Sequence, residues 1–173
     1  DIDDSFNIDV KKLETHITEN TSAIIAPHIF GIPCNVKEIE KIAHRYHLKV
    51  IYDGAQAFGT KISGKHIGQF GDITMFSLHA IKVYNSIEGG LLTYTDSTLH
   101  KQFELYRNFG ITYHESGNDV VVCGINAKMN EFQAAMGIVN LPGLDEEIEK
   151  RKQLAELYCE CLKDVPGIQT YLF

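Results

Sequence analysis

Apolar residues crowd into two short unbroken runs, SAIIAPHI and LKVIYD, and between them recur at every third or fourth position. Short apolar runs bounded by polar residues predict buried strands, here over 22–29 and 48–52. In the intervening stretch Val36, Ile39, Ala43 and Tyr46 form a stripe at helical spacing, while Lys37, Glu38, Glu40, Lys41 and Arg45 face water. This predicts a helix over 36–47 with Asn35 as its N-cap. Strand, helix and strand make a βαβ unit whose crossover is expected to be right-handed, so the two strands are parallel. Upstream, 10–19 reads as a short helix after an acidic opening.

Beyond residue 53 the pattern continues in kind. TKISGKHIGQF reads as a hairpin or an irregular excursion turning at Gly64 and Gly68, and DITMFS and GGLLTYT read as two further strands. A helix is expected from Asp96 to about residue 109, buried along Leu99, Phe103 and Tyr106 and stopped by Gly110. ITYHESGNDVVVCGIN reads as a loop with a strand-like VVV, long enough to carry function. MNEFQAAMGIVNL predicts a helix capped by Asn130, ended by Pro142 and Gly143. A longer amphipathic helix over 144–163 carries Leu144, Ile148, Ala155, Tyr158 and Leu162 at helical spacing. The expected fold class is α/β, three-layered, with a mostly parallel sheet flanked by helices. Residues 1–141 are assigned to one domain, and 142–173 to a segment leading away from it.

Composition narrows the functional classes. The chain has 173 residues, 44% hydrophobic and 23% charged, as expected of a globular domain with a sizeable core. Its net charge of -7, without any Lys/Arg cluster, argues against nucleic acid as a partner. No apolar run approaches the roughly 20 residues needed to span a bilayer, and DIDDSFNID is not signal-like, so a cytoplasmic protein is expected. Cys34, Cys123, Cys159 and Cys161 form no C-x-x-C pair and read as free thiols. His44 and His47 could share a helical face, but a helix end explains them better than a metal does.

The chemistry is concentrated in IYDGAQAFG and GDITMFSLHAIKVYNSIEGG. Asp53 closes the strand LKVIYD, so its carboxylate emerges at the C-terminal edge of the sheet, where open α/β sheets bind ligands. Lys82 follows a second strand in a segment with turn character, and Ser77 offers a hydroxyl just upstream. A carboxylate that keeps a pyridine nitrogen protonated, an amine that forms an imine and moves a proton, and a donor for a phosphate are what pyridoxal phosphate requires. His79 could be a ligand, a proton relay or a structural hydrogen-bonding group. Asn85 and Ser86 could line a substrate mouth or shape the loop.

YDGAQAFG, GDITMFSLHAIKVYNSIEGG and GINAKMNEFQAAMG together resemble the DegT/DnrJ/StrS family of sugar aminotransferases, in order and approximate spacing. The resemblance runs through nearly the whole chain. It implies the large-domain part of a fold-type I pyridoxal phosphate-dependent transferase, with 142–173 linking towards a small C-terminal domain. It further implies that Asp53 and Gln56 contact the pyridine nitrogen and the ring face or its hydroxyl, that Ser77 binds phosphate, and that Lys82 is the Schiff-base lysine. Asn126 would reach the phosphate of a neighbouring subunit, which makes a homodimer with shared sites. A family branch with histidine in place of this lysine dehydrates instead of transaminating, so Lys82 places the chain on the aminotransferase side. Gly54 departs from the alanine common in the family.

The implied reaction moves an amino group, from glutamate, to a nucleotide-linked keto-deoxy sugar for polysaccharide synthesis. Family members are considerably longer, and the part of them preceding this chain supplies phosphate-binding backbone amides. A catalytically silent piece or dimerising scaffold of the same fold is therefore the alternative. A dinucleotide-binding domain is disfavoured because no G-x-G-x-x-G follows a strand.

Overall fold

A computed structural model describes residues 1–115 and 117–171. The βαβ unit read from the sequence is its centre. Strand β1 (Ala23–Pro27) runs parallel to β2 (Lys49–Asp53), with helix α2 (Val36–Tyr46) as the crossover. A short helix, α1 (Val10–Leu13), precedes them. Strands β3 (Lys61–Ile62) and β4 (Lys65–His66) form a small antiparallel hairpin. β5 (Ile73–Ser77) then joins β2 in parallel, and β6 (Gly90–Tyr94) closes the sheet antiparallel to β5, giving the order β1-β2-β5-β6. Helix α3 (His100–Arg107) leads to the hairpin β7 (Ile111–His114) and β8 (Gly117–Val120), and α4 (Glu131–Asn140) and α5 (Leu144–Leu162) complete the chain.

The strand alternation decides what is buried. Ile24, Ala26, Val50 and Tyr52 are buried against Val36, Ile39 and Ala43 of α2. Phe76 continues that face of the sheet into a second cluster with Ala57 and Ile67. The opposite face is more open, with Ile25 65% and Met75 36% exposed, and α3 reaches its β6 end where the rings of Tyr94 and Phe103 lie 5.0 Å apart. The sheet is thus mostly parallel and flanked by helices, as expected for α/β.

Local chemistry explains the element ends. The Asn35 side chain accepts from the Glu38 N–H at 3.2 Å, and His47 closes α2 in the left-handed conformation with its N–H on the Ala43 and His44 carbonyls. His44 and His47 thus sit at a helix end. α4 begins with a full capping box, Asn130 and Gln133 bonding reciprocally to each other's backbone N–H.

Four expectations shift. The helix expected over 10–19 ends at Leu13 and passes into a single 3-10 turn, because the Thr15 hydroxyl donates to the Lys12 carbonyl and Thr18 and Thr21 bond each other's backbone. Tyr46 is 41% exposed, and Ile42 takes the buried place instead. Asp96 caps a 3-10 turn, Ser97–Leu99, and α3 begins only at His100, with Tyr106 exposed. VVV is not itself a strand: the pairing partner of β7 is 117–120, and Val121 and Val122 lie outside it. Of the expected trailing segment, residues 172 and 173 lie outside the described residues, as does Ser116 in the 111–126 loop. All four cysteines are free, and burial pushes the Cys34 thiol up to about 12, which makes it inert.

Ile39 is fully buried between α2 and the first two strands. Ile39→Ala is expected to cost about 2–5 kcal/mol of unfolding free energy in a urea titration, with an unchanged slope.

Candidate active site

Asp53 ends β2 beside Met75 of β5, and Ser77 ends β5 two residues further along. Both carboxylate and hydroxyl therefore lie at the C-terminal edge of adjacent parallel strands, as the sequence predicts. One Asp53 carboxylate oxygen, Oδ1, accepts from the Ala55 N–H at 2.9 Å, which turns the chain out of the strand into Gln56. The turn is tight for a reason visible at Gly54. A Cβ there would lie 3.0 Å from the Met75 carbonyl and 3.1 Å from the Phe76 ring. In this chain Phe76 and Thr74 take the room that an alanine methyl would need, which accounts for glycine.

Lys82 sits in a wound loop built from its own backbone. The Lys82 N–H donates to the His79 carbonyl at 2.9 Å, the His79 N–H to Ser77 Oγ at 3.3 Å, and the Ile81 N–H to His79 Nδ1 at 3.3 Å. His79 Nε2 faces Glu88 Oε1 at 3.4 Å. Asn85 Nδ2 donates to the Lys82 carbonyl, and the fully buried Ser86 hydroxyl donates to the Glu88 carbonyl. Of the uses left open by the sequence, these contacts give His79, Asn85 and Ser86 a structural one.

Helix α4 locks this loop from outside. Tyr84 Oη donates to the Gly137 carbonyl at 3.2 Å and Asn140 Nδ2 to the Asn85 carbonyl at 3.0 Å. Phe58 packs on Tyr84, ring centroids 4.5 Å apart, and edge-on to Phe76. The segment after Asp53 and the segment after Lys82 are thereby joined through one aromatic cluster.

Lys82 and Gln56 line a single cleft of about 470 Å³, together with Phe30, Phe58 and Arg151. Neither Lys82 nor Arg151 has an ion-pair partner among the described residues. Gly31 also borders the cleft in the left-handed region, φ 83°, and a Cβ there would meet the Gln56 carbonyl at 2.8 Å. Asn126 is elsewhere. Its side chain accepts from Lys128 Nζ at 2.7 Å, it bridges to Asn108, and it does not line the cleft. Asp53 and Ser77 thus close adjacent strands at one sheet edge, and Gln56 and Lys82, in the loops that edge feeds, line the cleft, which Asp53, Ser77 and Asn126 do not. Neither Arg151, on the polar α5, nor Phe30, left-handed at φ 56° in the turn after β1, is marked by any pattern in the sequence.

Comparison with known proteins converges on one family. The model of the DegT/DnrJ/EryC1/StrS aminotransferase family matches residues 1–172. The chain belongs to that family. It is 41% identical to the dTDP-4-amino-4,6-dideoxy-D-glucose transaminase of Escherichia coli over 170 residues, 97% of this chain and 45% of that protein. Among solved structures, PseC of Helicobacter pylori, an aminotransferase involved in the biosynthesis of pseudoaminic acid, superposes with a TM-score of 0.90 at 32% identity, over 95% of this chain and 45% of that one. A sugar aminotransferase of Streptococcus pneumoniae in its PLP-form superposes with a TM-score of 0.85 at 25% identity, over 93% and 46%. The chain spans about half the length of the curated relatives it matches.

One buried group near the family's site residues was not singled out by the sequence. His28 follows β1, is 2% exposed, and stacks on the Tyr52 ring at 5.0 Å. Burial lowers its pKa from 6.5 to about 4, against an opposing pull from the Asp53 charge. Because the folded value is the lower one, the unfolded chain binds the extra proton between about pH 6.5 and 4, and stability falls as pH drops through that window. The expected loss is on the order of 3 kcal/mol. His28→Gln should flatten that acid limb in urea titrations run across the window.

Proposed function

We propose that this chain carries the cofactor-holding half of a pyridoxal phosphate-dependent aminotransferase acting on a nucleotide-linked keto sugar, with glutamate as amino donor. The observation that supports this most directly is that the strand-end carboxylate of Asp53 stands at the sheet edge next to β5, which feeds the loop carrying Lys82, a lysine with no ion-pair partner among the described residues. Residues 1–141 form the cofactor-binding unit in this reading, and 142–173 lead towards a smaller domain.

The residues fit the group. Lys82 Nζ would bond the cofactor's aldehyde carbon and, when displaced, accept and return the substrate proton. Asp53 keeps a carboxylate oxygen beyond the one engaged by Ala55, and this oxygen would hold a proton on the ring nitrogen. Ser77 would donate its hydroxyl to the phosphate, and Gln56 would contact the ring or its hydroxyl. When bound, pyridoxal phosphate supplies an electron sink for the carbon that loses its proton. Among the described residues no group of three or more His, Cys, Asp or Glu could hold a metal ion. The nucleotide-sugar class rests on kinship with the Escherichia coli dTDP-sugar transaminase and with PseC.

Incubating the protein with pyridoxal phosphate should produce a visible absorbance band that Lys82→Ala abolishes. A band unchanged by that substitution would remove Lys82 from its role. Asp53→Asn should retain the band yet slow amino transfer by about a hundredfold or more, since the ring nitrogen then loses the carboxylate that keeps it charged.

We further propose a homodimer in which Asn126 serves the neighbouring site. On α4, Phe132 is 86% exposed and Ile138 and Val139 each 73%, and in the stretch before Asn126, Val121 and Ile125 are 52% and 68% exposed. Apolar side chains so grouped beside a polar residue that misses its own cleft suit a face covered by a second copy. Phe132→Asp is expected to convert a dimer to a monomer in light scattering, while the far-ultraviolet circular dichroism stays the same.

A further inference from the structure

Helix α5 is largely exposed and approaches the site at one place. Along its first half only Leu144 and Ile148 are half-buried. The Ile148 Cδ1 methyl closes on the turn after Asp53 so tightly that a Cβ at Gly59 would lie 2.8 Å from it. Arg151 is three residues further along, and so a neighbour of Ile148 on the helix surface. The contact at Ile148 thus sets Arg151 on the rim of the cleft of about 470 Å³ that Gln56 and Lys82 line and that Phe30 and Phe58 wall.

Its charge is left unmatched there. A glutamate four residues before a basic residue is the favoured order for an ion pair along a helix, and Glu147 stands at that place. Yet Glu147 pairs with Lys150 at 3.1 Å, and Glu146 reaches the same Nζ at 2.9 Å. Both glutamates border, with Lys82 and Arg151, a smaller polar hollow of about 370 Å³. Carboxylates are therefore near, and Arg151 still makes no ion pair among the described residues. Lys82, the other cation of both hollows, makes none either. Two like charges bordering one partly apolar cleft repel each other and favour an anion in it. A guanidinium can meet the paired oxygens of a carboxylate or a phosphate with two parallel hydrogen bonds, which an ammonium cannot.

We infer that Arg151 is a substrate-binding residue: its guanidinium holds an oxyanion of the substrate, either a carboxylate of the amino donor or a phosphate of the nucleotide-linked sugar. In the function proposed above Lys82 is committed to the cofactor, so Arg151 is the cation of this cleft that remains for the substrate. The rings of Phe30 and Phe58 exclude part of the solvent, and hydrogen bonds to the anion are screened less there than on an open surface. Ile148 fixes the helix that carries the guanidinium, so the anchor is set by packing before any substrate arrives.

The inference rests on the function proposed above, and its first test needs no cofactor. The cofactor-free chain is titrated by calorimetry with glutarate and, separately, with inorganic pyrophosphate. At least one of the two should bind, and Arg151→Gln should weaken that binding about tenfold or more, with Arg151→Lys in between. Glutarate binding points to the amino donor as the source of the anion, and pyrophosphate binding to the nucleotide-linked sugar. No binding, or equal affinity in Arg151→Gln, overturns the inference. So does a loss on Ser77→Ala without one on Arg151→Gln, which would place the anion at the cofactor's phosphate position. In the second test the protein is loaded with pyridoxal phosphate. Arg151→Gln should form the same visible band, and the concentration of the anion-bearing substrate that half-completes the change of that band should rise about tenfold. Loss of the band in Arg151→Gln would make Arg151 a cofactor contact and overturn the inference. Failure of the unsubstituted protein to form the band would instead count against the cofactor reading, leaving the titration to decide the inference.

Discussion

The register of β2 is the constraint on which the site depends. Side chains alternate strictly along a strand, so burying Val50 and Tyr52 against α2 forces Lys49, Ile51 and Asp53 to the other face. A slip by one residue would bury the carboxylate and expose Tyr52. Several contacts oppose the slip at once: parallel pairing to β1 and β5, the Asp72 carboxylate accepting from the Val50 N–H at 2.8 Å, and Gly71, where a Cβ would strike the Tyr52 ring. A core constraint thus places a polar group at the sheet edge.

Lys82 is positioned by different means. Its loop has no regular element and little apolar burial of its own, so it is held by short-range hydrogen bonds to His79, Asn85 and Ser86 and by the docking of α4. Gly89 permits this closure: its φ of 154° and the 2.8 Å approach of Ser86 Oγ leave no room for a Cβ. The carboxylate therefore sits on the rigid sheet and the lysine on a loop that an adjoining helix braces. In the function proposed above, an amine that bonds, releases and rebonds gains from that difference, since its carrier can yield while the ring's anchor does not.

What could be read from the sequence follows the same division. The βαβ unit, Asn35 as cap and Asp53 at a strand end were legible because periodicity and a capping residue are local signals. Asp53, Gln56, Ser77, Lys82 and Asn126 were legible as candidates through motif order, and the fold places the first four, not Asn126, at one sheet edge and the loops it feeds. Tyr46, 41% exposed, departs from the stripe because periodicity marks a helical face, and no pattern within the helix reveals how far along it the packed neighbour extends. His28 and Arg151 were invisible for a further reason. One lies in a turn and the other on a polar helix face, and each matters only through what the fold brings beside it.

His28 also shows why a histidine count says little. Eight histidines are spread through the chain, and most meet water, where an imidazole can adopt either tautomer at little cost. In the turn after β1, the Cys34 N–H selects the tautomer, Tyr52 selects the ring plane, and Asn7 selects the turn. Three independent contacts fix one buried imidazole beside the strand that delivers Asp53. The same Tyr52 side chain that the register of β2 buries therefore also holds the His28 ring, so that core packing and the turn after β1 are determined by one set of contacts.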